Sequence, residues 1–136
     1  MTAASLLVAA SAAVMGCLGG IHLLYTYRGR KLQPRDPAVR EAMAQSTLFI
    51  TRETTVWRAN KGFNASHSLG ILVFALEYGY LALGRPDVLG SSTFLRVQGL
   101  VVLLAYFALC WRYFFRVPLL GVTLACILYA SGWALS

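Results

Sequence analysis

Four long apolar stretches constrain what this chain can fold into more than any other feature. A helix that crosses about 30 Å of hydrocarbon needs roughly 20 largely apolar residues, and residues 3–25, 62–83, 94–114 and 117–135 each satisfy that condition. The first carries no acidic or basic side chain apart from His22, and the second is interrupted only by His67 and Glu77. Arg96 and Arg112 lie near the ends of the third; the fourth has no charge. Charged residues make up 12% of the chain and hydrophobic ones 58%, against about 25% and 45–50% in ordinary soluble domains. The net charge of +7 therefore does not read as a nucleic-acid face, which water must reach. The expected partner is the lipid bilayer, not nucleic acid.

Short connections between the last three stretches force neighbouring helices to run antiparallel. The expected fold is all-α: a transmembrane four-helix up-down bundle forming a single domain over residues 1–136. The first stretch reads as a retained helix. No basic side chain precedes it, and its apolar run exceeds the roughly 7–15 residues of a secretory signal's core. Ten of the twelve Lys and Arg residues fall on one side of such a bundle: Arg28 to Lys61 in the long connection, with Arg112 and Arg116. Only Arg85 and Arg96 fall on the other. This asymmetry places the long connection in the cytoplasm and both termini outside it. Cys17, Cys110 and Cys126 all lie in apolar spans, where thiols behave as small hydrophobes.

The long connection is more than a linker. Asp36-Pro37 is a helix start, a capping side chain followed by proline at the first helical position. The residues up to Gln45 make a short amphipathic helix suited to the cytoplasmic interface. No glycine or proline occurs from Ala38 to Lys61, so the second membrane helix is free to begin before the bilayer.

Ionisable and polar groups inside a bilayer are costly and point to function by default. His22 and His67 lie at similar depth on consecutive antiparallel helices. Asn60, Asn64 and His67/Ser68 follow i, i+4, i+7/8 spacing, and Thr26 extends the His22 side. The candidate ligand-binding pocket is His22, Thr26, Asn64, His67 and Ser68, with Glu53 and Arg58 near its mouth. Four roles remain open for it. Such side chains join helices by hydrogen bonds, or bind the head of an amphipathic ligand such as a lipid, quinone or isoprenoid. His22 and His67 also suit the axial positions of a b-type haem, with Gly19 and Gly70 one turn away. Finally, His67 is the candidate catalytic residue of a membrane-embedded enzyme, as acid or base. No nucleophile elbow or phosphate loop accompanies it.

Glu77 and Arg96, of opposite sign and similar depth, are expected to form a structural ion pair. Ala12, Gly16 and Gly20 repeat every four residues and permit close helix approach. That approach is either within the bundle or to a second subunit, so a homo-oligomer or a larger membrane complex also stays open.

Residues Thr51-Arg52-Glu53-Thr54-Thr55-Val56-Trp57-Arg58, then Gly62-Phe63-Asn64-Ala65-Ser66-His67-Ser68-Leu69-Gly70, carry a resemblance. The chain resembles small uncharacterised four-span bacterial membrane proteins with a Gly-Phe-Asn-x-Ser-His-Ser motif, and Gly19-Gly20-Ile21-His22 fits the same pattern. Asn60-Lys61 departs from it, where a more apolar pair is expected. The resemblance implies a bacterial inner (cytoplasmic) membrane location and no particular reaction. It favours the His22/Asn64/His67 cluster over Glu77 as the place to look.

Overall fold

Runs of apolar residues too long for a soluble helix face become four membrane-length helices. The computed structural model describes residues 2–136. In chain order the elements are α1 (Ala3–Tyr27), α2 (Pro37–Gln45), β1 (Thr47–Leu48), β2 (Thr51–Thr55), α3 (Val56–Gly84), α4 (Pro86–Ser91), α5 (Thr93–Tyr113) and α6 (Arg116–Ala134). Helices α1, α3, α5 and α6 are each long and apolar enough to cross a membrane. The chain is thus an all-α helical bundle of the multi-pass membrane class. Its 29-residue α3 starts at Val56 and is roughly 43 Å long at 1.5 Å per residue, more than a hydrocarbon core of about 30 Å requires.

Packing divides the described residues into two compact units, one of residues 2–18 with 71–136 and the other of residues 19–70. In the first unit the inward face of α3 is Ile71, Phe74, Tyr78 and Ala82, and its outward face is Val73, Leu76, Tyr80 and Leu83. Both faces are apolar. The same holds for α6, with Val122, Ala125 and Tyr129 inside and Leu120, Leu124 and Ile127 outside. A helix apolar all round belongs in lipid. With no hydrophobic drive between helices there, close packing and hydrogen bonds hold them together.

Small residues supply that closeness. A Cβ on Gly16 would stand 3.3 Å from Ala75 Cβ, and one on Gly79 would stand 3.8 Å from Ala12 Cβ, so α1 and α3 meet backbone to backbone. On the other side of α1, Gly132 of α6 lies against Ala4 and Val8, and Ser11 Oγ donates to the Ala125 carbonyl at 2.8 Å. The Ala12/Gly16 part of the small-residue stripe therefore serves packing within this unit. Helix α5 joins through tyrosines: Tyr78 Oη donates to the Leu95 carbonyl at 2.6 Å and Tyr129 Oη to the Arg96 carbonyl at 3.1 Å. Beneath them Gly99 leaves no room for a side chain, since a Cβ there would stand 2.6 Å from Tyr129 Cζ and 2.7 Å from Tyr78 Cε1.

The second unit contains the end of α1, the long connection and the first turns of α3. Gly29, with φ +88°, ends α1 in the left-handed conformation that glycine alone adopts freely. Asp36 caps α2, its side chain accepting from Ala38 N at 2.9 Å with Pro37 in the first turn, as expected. Asp36→Ala should cost about 1 kcal/mol of local helix stability. Hydrogen exchange should then speed up across α2 and stay unchanged in α5; unchanged exchange in α2 would contradict the cap.

Between α2 and α3 lies a hairpin that the sequence reading did not contain. Thr47 pairs with Thr55 and Leu48 with Thr51, antiparallel and with an irregular register, and Val56 N donates to the Ser46 carbonyl at 2.9 Å. Its turn lacks glycine, proline and asparagine, and only its β-branched threonines favour strand.

Candidate functional site

Helices α1 and α3 bring their polar residues together in the second unit. His22 Nε2 lies 3.0 Å from Asn64 Oδ1. Asn64 Nδ2 in turn donates to the Asn60 backbone carbonyl at 2.9 Å and to Asn60 Oδ1 at 2.6 Å. That backbone carbonyl accepts only, so the Asn64 amide must turn its NH2 towards Asn60 and its oxygen towards His22. The donor in the His22 contact is then Nε2–H. Neutral imidazole carries one N–H, which leaves Nδ1 as a hydrogen-bond acceptor. It has no protein partner among the described residues. A carbonyl on one helix thus fixes the tautomer of a histidine on another.

His67 sits against the His22 ring, edge to face, with centroids 5.2 Å apart and planes at 69°. Both imidazoles are partly exposed. Thr26 and Ser68 adjoin the cluster but turn their hydroxyl protons into their own helices, Thr26 Oγ1 to the His22 carbonyl at 2.8 Å and Ser68 Oγ to the Asn64 carbonyl at 3.0 Å. Ser68 is fully buried. Neither offers a donor to a ligand.

A small crevice lies beside Asn64, lined by Tyr25, Thr26, Trp57, Asn60 and Lys61 among others. Its volume of about 10 Å³ admits one water-sized group. Basic side chains lie over its aromatic rim: Lys31 over Tyr25 at 4.5 Å and Arg40 over Trp57 at 5.5 Å. Glu53 and Arg58, expected at this mouth, are exposed and do not line it. The stripe spacing had placed Asn60 beside Asn64, but its role as the anchor of the amide appears only once the carbonyl is located.

The histidine pair does not fit a six-coordinate b-type haem. The ring plane of a haem must lie between its two axial imidazoles, whereas these rings touch each other. Nε2 of His22, the nitrogen further from the backbone, is held by Asn64.

Glu77 and Arg96 form no ion pair among the described residues, where the pair within 4.0 Å is Arg85–Asp87 at 3.2 Å. Matching depth along two helices does not fix direction around them. Tyr78 holds the inward position on α3, and Glu77 lies about 100° round the helix from it. Arg96 instead donates from Nη1 to Ser136 Oγ at 3.2 Å and lies over the Trp133 ring at 5.7 Å. The three cysteines are unpaired thiols.

Fold and cluster together define a class: a multi-pass helical membrane protein with an oriented histidine–asparagine network. Beyond that class, comparison with protein-family models, with curated proteins and with solved structures finds no match.

Proposed function

We propose that the protein is an accessory membrane protein that binds the polar head of an amphipathic ligand (a lipid, a quinone in its reduced form or an isoprenoid alcohol) at His22. One observation carries the reading. Asn64 holds Nε2–H, so His22 presents Nδ1 as an acceptor on a partly exposed ring. The crevice on the Asn60 side of Asn64 is too small for more than a single polar group. The rest of the ligand then lies along apolar side chains such as Phe63, which is exposed and one turn from His67 on the same face of α3. An acceptor selects a head group that carries a donor, hence a hydroxyl in preference to an ether or a bare carbonyl.

The setting belongs to the same proposal: a bacterial inner membrane, with the basic connection in the cytoplasm and both termini outside, as the Lys and Arg asymmetry supports. Thiol-reactive labels that cannot cross the membrane, applied to single cysteines placed at Gln33 and at Ser136, should reach only the second from outside. The reverse pattern would invert the topology.

Farnesol and its methyl ether test the ligand reading, since they differ by the one proton that Nδ1 would accept. One net hydrogen bond is worth about 1–1.5 kcal/mol, so farnesol should bind the detergent-purified protein about tenfold more tightly than the ether. His22→Ala should abolish the difference. Equal binding of the two probes, or a preference that survives in His22→Ala, would overturn the reading.

A further inference from the structure

The first unit holds a groove in which the His22 cluster has no part. Its volume is about 440 Å³, and Ala4, Val8, Leu89, Gly90, Trp133 and Arg96 contribute to its wall. That lies within the roughly 300–1,000 Å³ of small-molecule sites. Arg96 is the one cation among the described residues that line it; the one acid, Asp87, is already bonded by Arg85 at 3.2 Å. The guanidinium of Arg96 has a single hydrogen-bond partner, Ser136, and its Nε is buried with none among the described residues.

Arginine's planar fork matches the oxygens of a phosphate, and with Nε closed off it is the Nη groups of Arg96, one already turned to the exposed Ser136 hydroxyl, that a phosphate in the groove would meet. We propose that Arg96 and the apolar groove beside it bind a membrane phospholipid, the phosphate oxygens meeting the guanidinium and an acyl chain lying along Ala4, Val8 and Leu89. Apolar walls suit the chain, and the one unanswered charge suits the head. Glu77, the nearest intramembrane acid on α3, does not compete, since it forms no ion pair with Arg96.

Native mass spectrometry of the purified protein, titrated with phosphatidylglycerol or with diacylglycerol of the same acyl chains, separates the phosphate from the chains. The wild type should bind phosphatidylglycerol at least tenfold more tightly, and Arg96→Gln should bind the two lipids alike. Gly90→Trp should block both lipids, because Gly90 lines the groove and a Cβ there meets nothing within 4 Å, so the indole has open space to fill. His22→Ala should leave all of this unchanged, which keeps the groove and the histidine site separable. Equal binding of the two lipids by the wild type, or a preference kept in Arg96→Gln, would overturn the proposal. So would undiminished binding in Gly90→Trp. If Arg96→Gln does not fold, the wild-type comparison and Gly90→Trp decide. Displacement of the lipid by soluble glycerol phosphate would reassign the site to a free phosphate compound and overturn it too.

Discussion

Gly99→Ala should lower the stability of the detergent-solubilised protein by about 3 kcal/mol, the upper end of the usual cost of overpacking a well-filled core. The added carbon would stand 2.6–2.7 Å from the rings of Tyr129 and Tyr78. Neither ring can retreat cheaply. Tyr78 Oη is bonded to the Leu95 carbonyl and Tyr129 Oη to that of Arg96, so moving a ring strands a buried hydroxyl and a carbonyl together. In lipid no water replaces the lost partner. Gly90→Ala is the matching control, with nothing within 4 Å, and should be neutral or slightly stabilising on α4. Equilibrium unfolding of the two variants in the same micelles checks the contrast. Equal stability would show that α5 has room to move away from the tyrosines.

Asn64→Leu should have the largest effect on binding. Leucine keeps the branched outline of asparagine, though it is bulkier, and has no acceptor, so the Nε2–H of His22 loses the group that fixes its tautomer. Leaving that donor unsatisfied costs about 1–3 kcal/mol, and the imidazole is free to move its proton to Nδ1. The preference for farnesol over its methyl ether should fall from about tenfold to none, a loss of about 1.4 kcal/mol. Asn64→Asp probes the same contact differently. A carboxylate beside Nε2 favours the doubly protonated ring, which turns Nδ1 from acceptor into donor. Farnesol should then lose its advantage although the His22 contact is kept. A full preference for farnesol in either variant would mean that Asn64 does not control the ring.

The helices were legible because membrane length is a coarse physical demand: residues 62–83 had to span, and the helix that contains them runs Val56–Gly84. The α2 start was legible for a local reason, since Asp36-Pro37 states both the cap and the first turn. The meeting of His22 with Asn64 and His67 was legible from depth and from the four-residue stripe on α3. What depth could not give was direction around the helix. Glu77 and Arg96 match in depth and still do not pair, because Tyr78 has the inward position and its hydroxyl makes the link to α5. The roles of Thr26 and Ser68 were likewise hidden, since a hydroxyl on a helix can turn outward or bond the carbonyl four residues back. These two do the latter. The Thr47–Thr55 hairpin escaped because its turn, Phe49-Ile50, contains none of the residues that normally signal one.

The proposed function at the histidine site rests on the tautomer of one ring. The most direct measurement is a long-range ¹H–¹⁵N correlation spectrum of histidine-labelled protein in micelles at neutral pH, with and without farnesol, His22 being assigned by its loss in His22→Ala. The expected result is a His22 ring protonated at Nε2, whose Nδ1 resonance moves upfield when farnesol donates to it and stays in place with the methyl ether. A ring protonated at Nδ1, or an Nδ1 signal indifferent to the alcohol, would contradict the account.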